Sequence, residues 1–215
     1  QLLESWRPRH QVWATLHGPR EAYAAHGARF AEQVLFGVDA LEDGALRVAL
    51  GAARPEVVVN AVGLVKQRAA ARDPIPSIQV NALLPHRLAR LCAEAGARLV
   101  HLSTDCGFSG RRGHYAEGDP PDPVDLYGRT KLLGELDAPH CLTLRTSIIG
   151  LELGRRTGLV EWFLAQRGPV PGYRRAIYSG LTTAELARAL EHLLTQPAPP
   201  SGLWHLASEP IDKHA

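Results

Sequence analysis

Short apolar runs alternate with stretches of helical spacing along most of the chain. Gln11–Leu16 (QVWATL) predicts a strand ending at the turn His17-Gly18-Pro19. Val34–Val38 (VLFGV) predicts a second strand, closing at Asp39, and Leu41–Ala53 follows with helical spacing. Glu56–Ala61 (EVVVNA) is β-branched and almost wholly apolar, as expected of a strand covered on both faces. Ile78–Ala95 is the longest helical pattern. Val80, Leu83, Leu84, Leu88, Leu91 and Cys92 form its buried stripe, and Gly96 is placed to end it. Arg98–Ser103 (RLVHLS) predicts another buried strand. Gly107–Pro123 is rich in Gly, Pro, Asp and Arg and reads as a loop, with Pro123 just ahead of a helix over Asp125–Leu136. His140–Thr146 predicts a strand, Gly158–Gln166 and Thr182–Leu194 helices, and Leu203–Ala207 a late strand. Thr182 or Thr183 can cap the second of these helices, with Glu185 in its first turn.

Strands separated by helical crossovers predict an α/β fold, a doubly wound parallel sheet with helices on both faces. Ligands of such sheets sit beyond the carboxyl ends of the strands. A dinucleotide-binding sheet opens with a strand and a glycine-rich turn, G-x-G-x-x-G or G-x-x-G-x-x-G, and neither stands here. Gln1–Trp6 (QLLESW) instead resembles the second half of the helix after such a turn. The expectation is that one strand and its turn, about 15 residues, precede the chain. The regular alternation stops near Gly150. The expected organisation is therefore a nucleotide-binding domain over 1–150, incomplete at its front, and a smaller substrate-binding region over 151–215, incomplete at its end.

Composition narrows the class. Of 215 residues, 45% are hydrophobic and 21% charged, which excludes a disordered chain or a small disulfide scaffold. The formal net charge of +2 gives no electrostatic case for nucleic acid or an anionic membrane. Arginine dominates the basic residues; only Lys66, Lys131 and Lys213 are lysines. Cys92, Cys106 and Cys141 lie far apart with no C-x-x-C spacing, which fits free thiols in a reducing cytoplasm. No apolar run approaches the roughly 20 residues that span a bilayer. The sequence contains no methionine. The ten histidines show no H-x-x-x-H or H-E-x-x-H spacing, so no metal site is expected from them.

The chemistry-bearing residues recur at strand ends. In Asp-Leu-Tyr-Gly-Arg-Thr-Lys, Tyr127 and Lys131 are four apart and share one helix face. An ammonium beside the phenol should lower the Tyr127 pKa, so that the Tyr can pass a proton to a carbonyl oxygen. Ser103-Thr104-Asp105 follows the buried strand directly, and a hydroxyl there can hold a carbonyl against the Tyr. Asn60-Ala61-Val62-Gly63 ends another strand, where small residues let the backbone approach a flat cofactor. Asn81 is an amide inside an apolar stripe and needs partners, bridging backbone groups near the site. Asp39 ends the second strand, where a carboxylate can accept from an adenine amino group.

The order strand-Asp, strand-NAxG, helix-Asn, strand-STD, helix-YxxxK resembles the extended short-chain dehydrogenase/reductase family, and within it the dTDP-4-dehydrorhamnose reductase-like branch. The carrying residues are Leu102–Asp105, Phe108-Ser109-Gly110, Tyr115 with Glu117, Tyr127–Lys131 with Gly134-Glu135, and Leu144–Ser147 (LRTS). The resemblance covers roughly Gln11 to Ala207 and implies a Rossmann-type NAD(P)-binding enzyme acting on a nucleotide-linked sugar. It implies Tyr127, Lys131 and Thr104 as catalytic residues, Thr104 and Asp105 at the substrate, and Asn60–Gly63, Asn81, Tyr127 and Lys131 toward the cofactor. Some members use magnesium, for which no ligand set stands out here. Cys106-Gly107, Ile148-Ile149-Gly150 and Tyr173–Leu181 depart from the branch pattern. After the second strand, His17-Gly18-Pro19-Arg20 carries no acid and one Arg, so NADP(H) is expected over NAD(H), with Arg20 on the 2′-phosphate. The expected activity is reduction of a nucleotide-activated 4-keto-deoxysugar. The alternatives are an epimerase or dehydratase of the same family, or a non-catalytic NADP-binding regulatory subunit. The oligomeric state stays open, a homodimer being one candidate.

Overall fold

The computed structural model describes residues 1–30, 32–66, 69–153 and 158–213. In chain order the elements are α1 (Leu2–Trp6), β1 (Ala14–Leu16), β2 (Val34–Phe36), α2 (Asp43–Ala53), β3 (Val57–Asn60), α3 (Pro74–Ser77), α4 (Leu84–Glu94), β4 (Arg98–Leu102), α5 (Leu126–Leu133) and β5 (Cys141–Arg145). Then come β6 (Ile148–Ile149), α6 (Leu159–Leu164), β7 (Ile177–Tyr178), β8 (Leu181–Thr182), α7 (Thr183–Leu194), β9 (Gly202–His205) and β10 (Ile211–Asp212).

The β-branched and leucine-rich runs build the central sheet, with strands ordered β3-β4-β5-β9, all parallel. Alternate side chains leave a strand on opposite faces, and the two cores show it. Leu99 and Cys141 pack toward α2 and α4 with Leu46, Leu84, Leu88 and Leu91. Their neighbours Val100 and Leu142 pack the other way, with Leu186 and Leu190 of α7 and with Leu2 and Trp6 of α1. The sheet is therefore covered on both faces, as its continuous apolar strands require. The Trp6 indole donates to the Ala187 carbonyl at 2.9 Å and fastens α1 to α7. β1 and β2 form a separate parallel pair. β6 pairs with β8 in parallel and β7 with β10 antiparallel.

Two expectations change. Residues Ile78–Leu83 form a π-helical turn ahead of α4. Its wider winding shifts the phase of the stripe: Asn81 and Ala82 turn inward while Leu83 is left 49% exposed. The division near Gly150 is not a boundary in the core either. β9 and α7, both beyond it, share the sheet and the second core with residues before it. Among the described residues on that side, β7, β8 and β10 pair outside the central sheet, and α6 buries none of its residues. Among the described residues no helix is long and apolar enough to cross a membrane.

Candidate active site

The site forms where β4 ends. Thr104 leaves the strand extended, and its hydroxyl accepts from the Cys106 amide at 3.2 Å, capping a single turn over Asp105–Gly107. That turn is the seat for α5. Asp125 caps the helix by accepting from the Gly128 amide at 2.8 Å and pairs with Lys66 at 2.7 Å. A Cβ on Gly128 would fall inside the Cys106 carbonyl oxygen, and one on Gly134 inside the Asn81 carbonyl oxygen. Glycine at both ends of α5 thus lets its backbone lie directly on β4's exit turn and on the π-helical turn, which delivers Tyr127 and Lys131 to the strand end.

The Thr104 hydroxyl lies near enough to the Tyr127 phenol to pull its pKa down, while its own hydrogen bonds run to Asp105 and the Cys106 amide. The phenol pKa is nevertheless raised, because burial outweighs the downward pull of Thr104 and Lys66. The cation over the Tyr127 ring is Lys66, 5.6 Å from its centroid. This corrects the expectation that Lys131 lowers the Tyr127 pKa. Lys131 Nζ donates instead to the Leu102 carbonyl at 2.6 Å and lies 3.5 Å from His101 Nε2. Lys131 is 4% exposed, and burial drives its ammonium down to about 8 against a smaller upward pull from Glu135. His101 is fully buried, and burial, with repulsion from Lys131 and His86, takes it down to about 2. Its ring is neutral, with Nδ1 3.1 Å from the Asn60 amide nitrogen.

A second polar cluster ties the strand ends together. Arg145, at the end of β5, holds Glu135 through two contacts of 2.8 and 2.7 Å, and Ser103 donates to the same carboxylate at 2.8 Å. The Arg145 guanidinium also lies 5.0 Å from the Phe108 ring centroid, and Phe108 stacks on Tyr115. The Ser of STD, the Glu after α5 and the Arg of LRTS are thus one buried brace. Asn81 is a second: its amide accepts from Leu64 N at 2.8 Å and donates to Leu64 O at 3.0 Å, with Thr130 Oγ1 at 3.4 Å. It pins the segment after β3 against α5.

The remaining expected residues sit elsewhere or face inward. The Asn60 amide is spent on His101 and on the Val62 amide, so the open residues at the end of β3 are Ala61 and Val62, with Gly63 partly exposed. Asp105 is exposed at the lip. Arg20 lies over the Phe36 ring at 4.8 Å, and Asp39 accepts from the Leu41 amide at 2.9 Å; both belong to the β1–β2 pair. Cavities of about 360 and 410 Å3 open around Arg29, Leu153 and Phe30, but Thr104, Tyr127 and Lys131 line neither. Among the described residues no three His, Cys, Asp or Glu side chains gather into a metal-binding group. Sequence reasoning missed Lys66, His101 and the Glu135–Arg145 pair. The signal for His101 and Arg145 was a charged or titratable residue inside an apolar strand, which requires a partner.

Two buried groups, the Thr104 hydroxyl and the Lys131 amine, and the partly buried Tyr127 phenol stand at the carboxyl end of a parallel sheet, as in a Rossmann-type α/β protein. Residues 20–212 match the family model described as the RmlD substrate binding domain, and the chain belongs to that family. The dTDP-4-dehydrorhamnose reductase of Burkholderia thailandensis is 34% identical over 171 residues, covering 73% of this chain and 57% of that protein. The chain spans about half the length of the curated relatives it matches. Among solved structures, the Bordetella bronchiseptica enzyme WbmG in complex with NAD is similar with a TM-score of 0.77 and 20% identity, covering 99% of this chain and 70% of that one. The Bacillus anthracis dTDP-4-dehydrorhamnose reductase in complex with NADP is similar with a TM-score of 0.72 and 20% identity, covering 94% and 77%.

Proposed function

We propose that this protein is an NAD(P)H-dependent reductase of a nucleotide-linked 4-keto-deoxysugar. The observation that carries the reading is the convergence of Thr104, Tyr127 and Lys131 at the end of β4, where Gly128 seats α5 on the exit turn and Lys131 is anchored to Leu102. The reductase relative in Burkholderia and the NADP complex of the Bacillus enzyme support it. The residues suit a nicotinamide cofactor, since Ala61 and Gly63 are small and exposed or partly exposed at the neighbouring strand end. When bound, the reduced nicotinamide supplies the hydride. Thr104 orients the keto oxygen by hydrogen bonding. Tyr127, protonated at neutral pH because burial holds its pKa up, gives its proton to the oxygen as negative charge develops there. Lys131 supplies positive charge behind the site.

The test is cofactor balance. Incubation with a dTDP-linked 4-keto-6-deoxysugar should consume NADPH mole for mole with alcohol formed. Sugar turnover without net loss of cofactor would make the protein an epimerase, and binding without turnover a regulatory subunit. We assign Arg20 to the 2′-phosphate of NADP. Arg20→Ala should weaken NADPH binding about tenfold, by losing a charged hydrogen bond, and leave NADH binding unchanged. Equal loss for both cofactors in a fluorescence titration would refute that role.

A further inference from the structure

Behind the reacting groups lies a buried polar chain, Asn60, His101 and Lys131, of which the mechanism uses Lys131 alone. Its protonation can be read from donors and acceptors. Asn60 Oδ1 accepts from the Val62 amide at 3.1 Å, which fixes the orientation of the amide. The other arm is then an NH2 group, a donor only, and it faces His101 Nδ1 at 3.1 Å. Nδ1 must accept. A neutral imidazole that accepts at Nδ1 carries its hydrogen on Nε2. That Nε2–H points at Lys131 Nζ, 3.5 Å away. An ammonium has no lone pair to receive it, so the positive end of the N–H dipole opposes the charge on Lys131. Nζ keeps one good partner, the Leu102 carbonyl at 2.6 Å.

We propose that Asn60 and His101 are positioning residues that lock one imidazole tautomer against Lys131, and so set the pH at which this amine gives up its proton. Burial already lowers Lys131, and the opposed N–H dipole of His101 would act in the same direction from 3.5 Å away. Among the described residues, the charged or titratable neighbours are His86, acting on His101 from α4, and Glu135, acting on Lys131 from beyond α5. β3 contributes the neutral Asn60, and β5 places the neutral Thr143 opposite His101 in register. The catalytic consequence rests on the reductase reading: activity should fall as Lys131 deprotonates near pH 8, not near the ordinary lysine value. The tautomer lock itself does not depend on that reading.

The test uses the small lysine count. With lysine labelled at the ε-carbon, Lys66, Lys131 and Lys213 give three resonances that titrate separately. Asn60→Asp replaces the donor by an acceptor. The carboxylate takes a hydrogen from Nδ1, Nε2 becomes the acceptor, and Lys131 can donate to it. The Lys131 midpoint should rise by about one pH unit or more. Asn60→Ser, uncharged and able to donate or accept, should give a smaller rise in the same direction and covers the case in which Asn60→Asp does not fold. Asn60→Asp combined with His101→Leu keeps the carboxylate but removes the ring, and the rise should largely disappear. An unmoved midpoint in both single variants, or an equal rise in the double variant, would overturn the proposal. In active protein the alkaline limb of the NADPH-oxidation profile should move with the midpoint. A shifted midpoint with no NADPH oxidation in any variant would leave the lock standing and refute the reductase reading.

Discussion

Replacing Lys131 by Met should make folding stability respond differently to pH. The side chain is 4% exposed and its pKa falls from 10.5 to about 8 in the fold. Each pKa unit corresponds to about 1.4 kcal/mol, so carrying this charge in the fold costs about 3 kcal/mol more than carrying it in the unfolded chain. Between pH 8 and 10.5 the unfolded chain binds the proton and the folded one does not, so the lysine contribution to stability rises with pH through that window. Below about pH 8 both states bind it and the full penalty stands. Methionine carries no such penalty. It also forfeits the bond from Nζ to the Leu102 carbonyl, so the absolute difference between the proteins mixes two effects of similar size. The pH dependence of the difference isolates the charge. Urea unfolding of both proteins, from about pH 6 to about pH 10, should show the wild type gaining about 2.5 kcal/mol on the variant. Parallel stability curves would refute the reasoning, because they would mean that Lys131 is not desolvated.

Two further perturbations test the braces around the site. Arg145→Met leaves the Glu135 carboxylate buried with Ser103 as its remaining close partner, and should cost about 3–5 kcal/mol in urea unfolding. Adding Glu135→Leu should recover most of that loss, and a double variant as unstable as the sum of the single ones would contradict the ion-pair account. Gly128→Ala drives a methyl group into the Cys106 carbonyl, so α5 must move off its seat. Turnover should fall at least about tenfold, since catalysis tolerates little displacement of Tyr127, while cofactor affinity changes little. Unchanged turnover would show that this close approach is not needed.

Much of the architecture was legible because a doubly covered strand leaves a plain mark. Val57–Val59, Leu99–Val100 and Cys141–Leu142 are apolar on both faces, and all lie inside the four-stranded sheet. The stop at Gly96, where φ is +69°, was equally plain, since glycine takes that conformation freely. The π-helical turn at Ile78–Leu83 was not, because hydrophobic spacing presumes ordinary α-helical winding, and here the buried Asn81 dictates the local geometry. The core shared across Gly150 was hidden for another reason: pairing between β5 and β9 joins residues some sixty positions apart, and no local pattern records it. In the site, Thr104, Tyr127 and Lys131 could be read from spacing, but their pairing could not. Helical geometry puts Tyr127 and Lys131 on one face; packing decides that Lys131 turns to Leu102 and His101 while Lys66 covers the phenol.

The central claim is that Tyr127 delivers the proton. Steady-state reduction of the 4-keto sugar by wild type and Tyr127→Phe, with NADPH affinity measured in parallel, tests it most directly. The account predicts a fall in kcat of about 10²–10⁴ with cofactor binding nearly unchanged, as for loss of a general acid. A variant that turns over at the wild-type rate would contradict it.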